Sequence, residues 1–149
     1  MAGTSDAQAA ERLSRKRARA LPAMAAIFIS QQVVFLVNNY EGTRNVDRVA
    51  VGSWIVLTVV LLLALATGGG WIYPKAVRDL ANDESTRAHR AQALAAGFWA
   101  AMIAALVLFI VDLFEPVDGR DAAHIVLTLG IAIALMTFGS LEKRALRDG

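Results

Sequence analysis

Cysteine is missing from this chain, proline occurs three times in 149 residues, and only 19% of the residues are charged. Without cysteine there is no disulfide scaffold, no thiolate metal site and no cysteine nucleophile. A soluble domain carries about 25% charged residues. The charges here are also unevenly placed. Leu21–Tyr40, Val49–Pro74, Ala91–Val111 and Ala122–Leu141 contain no Asp, Glu, Lys or Arg, and together they make 87 of the 149 residues. Each run matches the ~20 apolar residues that cross a bilayer. This distribution excludes a disordered chain and almost any soluble enzyme.

What is present is apolar, at 56% of the chain. A surface helix of a soluble bundle needs a polar face every 3.6 residues. Val49–Thr67 offers only Ser53, Thr58 and Thr67, with Val59 to Leu63 unbroken. A helix apolar all round needs lipid or a large core, and 149 residues cannot enclose four of them. The fold expected is an all-α, integral membrane four-helix bundle of two antiparallel helical hairpins. Its parts are a basic arm (1–20), a four-span domain (21–141) and a tail (142–149). The spans are expected at 21–40, 49–73, 91–114 and 122–141, with a loop at 74–90.

Lysine and arginine set the orientation. Five in the arm, four in the 74–90 loop and three in the tail lie on one side, against Arg44, Arg48 and Arg120 on the other. Positive residues stay inside, so both termini are expected in the cytoplasm of a bacterial inner-membrane protein. The arm is not read as a cleaved signal peptide, because Asn38-Asn39-Tyr40-Glu41 lacks the small residues of a cleavage site and three spans follow. Pro22 is expected in the first turn of span one, where its missing N–H is harmless. Trp54 is expected as an anchor at the outer surface. Glu115-Pro116-Val117-Asp118-Gly119 reads as a turn in which Gly119 supplies positive φ.

Asn82-Asp83 reads as a helix cap, with Glu84 at the positive end of the helix dipole. Nothing breaks a helix from there to Val111. Asn82, Asp83, Glu84, Thr86, Arg87, Arg90, Gly97, Phe98 and Trp99 resemble a signature of small predicted bacterial membrane proteins of unknown function. The resemblance covers about 18 residues and implies a multi-span membrane protein with no assigned activity. Asp83, Glu84, Arg87 and Arg90 form a candidate partner face; as adjacent residues, Asp83 and Glu84 point about 100° apart, which does not suit acid–base work.

Gln31 and Asn38, like Gln32 and Asn39, lie seven apart and make a polar stripe on span one, where carboxamides bond a neighbouring helix or line a path. A four-span drug exporter would carry a glutamate in this span, and none is there. Asp112 and His124 are candidate ionisable sites, expected to meet at the outer boundary as a structural pair. The two histidines, His89 and His124, fall on opposite sides of the membrane and cannot share a haem. No metal or other cofactor is expected. Ala93, Gly97, Ala101 and Ala105 make a small-residue ridge, expected to pack against span two at Ala64 and Gly68 or against span three of a second copy. The function expected is that of a non-enzymatic membrane protein working through helix packing or partner interaction. The alternative is a small dimeric transporter or ion-coupled channel. The partners expected are anionic lipid headgroups, and a second copy or another membrane protein, without nucleic acid.

Overall fold

The computed structural model describes residues 2–38, 45–69 and 84–148. These form four helices: α1 (Ala2–Asn38), α2 (Asn45–Thr67), α3 (Glu84–Asp112) and α4 (Gly119–Asp148). All four are long and apolar enough to cross a membrane. The fold is an all-α membrane bundle, as the charge-free runs dictate.

Two boundaries depart from the sequence reading. The basic arm is not a separate part, because α1 runs unbroken for 37 residues, about 55 Å at 1.5 Å per residue. Pro22 therefore lies inside a helix, where it removes a backbone hydrogen bond. Its ring fills a notch on α4: a Cβ at Gly139 would stand 2.6 Å from the proline Cδ. The tail is likewise the last turns of α4. In the other direction, span two ends six residues early. Gly68 and Gly69 both adopt positive φ, at 64° and 69°. Their amides return to Leu65 O (3.4 Å) and Ala64 O (2.8 Å), the paired reverse bonds of a glycine-closed helix C-terminus.

The α3–α4 turn is built differently from the expectation. Asp118 Oδ1 accepts the Arg120 amide at 2.8 Å and so caps α4. Gly119 is the first residue of that helix and does not supply a positive φ among the described glycines. Within the described residues α3 runs unbroken from Glu84 to Asp112; the expected cap, Asn82-Asp83, lies outside them.

The helix α4 is the hub. Both α1 and α3 pack along it, while α2 touches it sparsely. Helix α4 runs antiparallel to α1 and α3 and parallel to α2, so the starts of α1 and α3 and the ends of α2 and α4 share one end of the bundle, and the α3–α4 turn lies at the other. The buried positions repeat with alternating steps of three and four. On α1 they are Ala18, Leu21, Ala25, Phe28, Gln32 and Phe35; on α4, His124, Thr128, Ile131, Leu135, Phe138 and Glu142. Thr58, Leu61 and Leu65 continue the same steps on α2. A mean repeat of 3.5 is the seam of left-handed helix packing.

The small-residue ridge is a contact, but its partner is α4. A Cβ at Gly97 would stand 2.5 Å from Gly130 O and 2.8 Å from Ala134 Cβ. Gly130 in turn faces the Ala101 methyl, 3.1 Å from where its own Cβ would be. Two backbones in lipid gain by close approach, since hiding apolar surface from apolar tails gains little. The ridge is thus closed by α4 of the same chain, in place of the expected contact with span two.

Candidate functional site

Each end of the bundle holds a polar group of residues, and a layer of Phe28, Leu61, Leu65, Leu135 and Phe138 separates them. At the turn end the centre is His124, 3% exposed. Its imidazole lies between two aromatic rings, Phe35 at 3.8 Å between centroids and Trp54 at 3.7 Å. The Trp54 ring also stacks on Phe28 at 6.2 Å. Gln32 Oε1 faces the His124 Nδ1 at 3.3 Å and accepts the Thr128 hydroxyl at 3.0 Å. An amide oxygen can only accept, so the imidazole proton sits on Nδ1 in this arrangement. The buried atoms Gln32 Nε2, Trp54 Nε1 and Thr58 Oγ1 are left without partners. Two of the three belong to α2.

Asp112 does not take part. Its Oδ1 accepts the Val117 amide at 2.8 Å and closes the α3–α4 turn, while His124 points the other way, into α1 and α2. The expected Asp112–His124 pair is therefore not formed. Trp54 is not a surface anchor either, since it is partly buried and its indole Nε1 lies inside the bundle. Of the two adjacent carboxamides, Gln32 turns inward and Gln31 outward. The Asn38 side chain and Asn39 lie outside the described residues.

At the termini end, Glu142 is 4% exposed and meets His89 Nδ1 at 3.2 Å. Arg17 and Thr86 are buried nearby in the fold's register. A glutamate assigned to a free tail is thus a core residue joining α4 to α3. Of the candidate partner face, Glu84 and Arg87 are exposed. Arg90 is occupied: its Nη1 donates to Ala66 O at 2.9 Å, satisfying a carbonyl in the last turn of α2. Among the described residues no cluster of His, Asp and Glu could hold a metal ion.

Along α1 and α2 the bundle is open. A cavity of about 470 Å³ lies between Ala26, Ser30 and Gln31 on one side and Ala50, Ser53 and Trp54 on the other. The Ser30 and Ser53 hydroxyls donate to Ala26 O (2.9 Å) and Val49 O (2.8 Å) of their own helices. No described residue bonds the Gln31 carboxamide, and it stands exposed on a membrane-crossing helix.

The residues that sequence reasoning left out are Gln32 as the inward carboxamide, Phe35, Thr58 and Thr128. A signal for them exists in the three-and-four spacing of Phe28, Gln32 and Phe35 and of His124 and Thr128. No known family, curated protein or solved structure matches this chain.

Proposed function

We propose that this chain is a non-enzymatic integral membrane protein that acts by interaction with a partner, and that the α1–α2 cleft is the surface it uses. The observation that carries this reading is Gln31. His124, Asp112, His89 and Arg90 each have a bond within the chain that holds helices or turns together. Among the described residues Gln31 has none, and a carboxamide without a partner in hydrocarbon is unfavourable. It marks a face that is complete only when something binds there.

The setting proposed is a bacterial cytoplasmic membrane with both termini in the cytoplasm. Twelve of the fifteen Lys and Arg residues on one side support this orientation. The resemblance of the segment from Asn82 to Trp99 to small predicted bacterial membrane proteins is the ground for the bacterial setting. Arg12, Lys16 and Arg19 are exposed along the first turns of α1, where each basic residue gains about 1 kcal/mol from anionic headgroups. A transporter would need a polar path; the apolar layer between the two polar ends favours the interaction reading instead.

Because the chain lacks cysteine, single cysteines test the proposal cleanly. A thiol-directed photo-crosslinker at Ile27→Cys or Ser53→Cys in native membranes is expected to give discrete adducts, and Met102→Cys on the exposed face of α3 none. Adducts that form equally at Met102, or none at the cleft, would contradict it.

A further inference from the structure

We infer that the occupant of the α1–α2 cleft is a second copy of this chain, joined through α1 with Gln31 paired to the partner's Gln31. This rests on the cleft being the interaction surface and adds the identity of what binds.

Four observations converge. The first is a second seam on α1, beside the one that faces α4. Met24, Ile27, Gln31 and Val34 follow steps of three, four and three, and all four are exposed. That is the 3.5-residue repeat of a helix dimer, with one polar position among apolar ones. A single buried carboxamide at such a position fixes register, because any slip leaves it unpaired.

The second is the shape of the cleft wall. Ala26 and Ser30 stand one turn apart on α1, and Ala50 and Ser53 face them across the cavity. Small residues let a helix backbone approach closely in lipid. The seam forms part of this wall, since Ile27, Gln31 and Val34 line the cleft, so the face with the helix-dimer repeat is the open one.

The third is chemical self-complementarity. A carboxamide carries a donor and an acceptor on one group, so two of them related by a two-fold axis exchange two hydrogen bonds. A charged side chain at position 31 would repel its own copy; glutamine pairs with it. The fourth is orientation. Copies of one chain insert with the same topology, which makes α1 and the partner's α1 parallel about an axis normal to the membrane. Gln31 then meets the partner's Gln31 at the same depth, as the isologous contact of a closed dimer requires.

The test uses the full chain reconstituted in neutral phosphatidylcholine vesicles, with single cysteines placed along α1 and oxidised. Disulfide dimers are expected at Met24, Ile27, Gln31 and Val34. Ile29 and Val33 are exposed as well but lie on the far flank of the helix, and they are expected to stay monomeric. In a dilution series followed by energy transfer between labelled copies, Gln31→Leu is expected to weaken association about sevenfold. That figure is two membrane hydrogen bonds of about 0.6 kcal/mol each, at 1.4 kcal/mol per tenfold. Among the described residues nothing bonds the Gln31 carboxamide, so this variant breaks no hydrogen bond there and is expected to keep its fold. A flat disulfide profile, a maximum at Ile29 and Val33, or association unchanged by Gln31→Leu would overturn the inference. Cleft adducts of a mass other than twice the chain, with no disulfide dimer, would overturn the second-copy assignment while leaving the proposed interaction surface standing.

Discussion

The α3–α4 and α1–α2 pairs are both antiparallel neighbours in sequence, yet they are built on opposite principles. Between α3 and α4, Gly97 and Gly130 bring the backbones together with no room for a Cβ at Gly97. Between α1 and α2, large rings hold the helices apart: Trp54 reaches over to Phe28 and His124, and a cavity opens beside them. The first interface is finished within the chain. The second leaves Gln31 exposed and, among the described residues, Gln32 Nε2, Trp54 Nε1 and Thr58 Oγ1 inside without partners. On the proposed reading, stability and interaction fall to different pairs of helices, with α4 common to the stable part.

The sharpest way to break this contrast is to spoil the tight interface. Gly97→Leu places a branched side chain where even a methyl would stand 2.5 Å from Gly130 O. Overpacking of this kind costs about 3 kcal/mol or more, and loss of the folded bundle in detergent is the expected outcome, read by thermal melting. The corresponding change at the exposed Leu106 is expected to have little effect.

A middle-sized effect is expected at the join between the two regions. His124→Leu removes two ring stacks, each worth about 0.5–1.5 kcal/mol, and leaves Gln32 with Thr128 alone. A loss of about 2 kcal/mol is expected, with the bundle still formed. In a chain carrying Trp71→Phe and Trp99→Phe, the emission of Trp54 is expected to change with this substitution, because its stacking partner is gone. Unchanged emission would mean that α2 is not seated on His124.

How much of this was legible in the sequence follows from the solvent. The four spans could be read because hydrocarbon tolerates no unpaired charge over ~20 residues. The unbroken course of α3 from Glu84 to Val111 could be read because the segment holds no residue that stops a helix. The choice between Gln31 and Gln32 could not, since a helix apolar all round shows no contrast between a lipid face and a protein face. For the same reason the ridge through Gly97 was recognisable as a packing surface while its partner, Gly130 and Ala134, was not. Asp112 and His124 share one end of the bundle, as their positions require, but the direction of each side chain is a tertiary property. Continuity of α1 through Pro22 depends on α4, whose Gly139 makes room for the ring.

The smallest expected effect is also the most informative. Gln31→Leu is expected to change the stability of the monomeric chain by no more than about 0.5 kcal/mol, as for other substitutions that break no internal bond. The central claim is that one chain completes the α3–α4 side and a second copy completes the α1–α2 side. Association that stabilises the folded state makes the melting temperature depend on concentration. The direct measurement is therefore thermal melting across a range of protein-to-detergent ratios, for the wild-type chain and for Gln31→Leu. The melting temperature of the wild type is expected to rise with that ratio, and the rise for Gln31→Leu to begin at a ratio about sevenfold higher; curves that coincide, or a level wild type, would contradict the account.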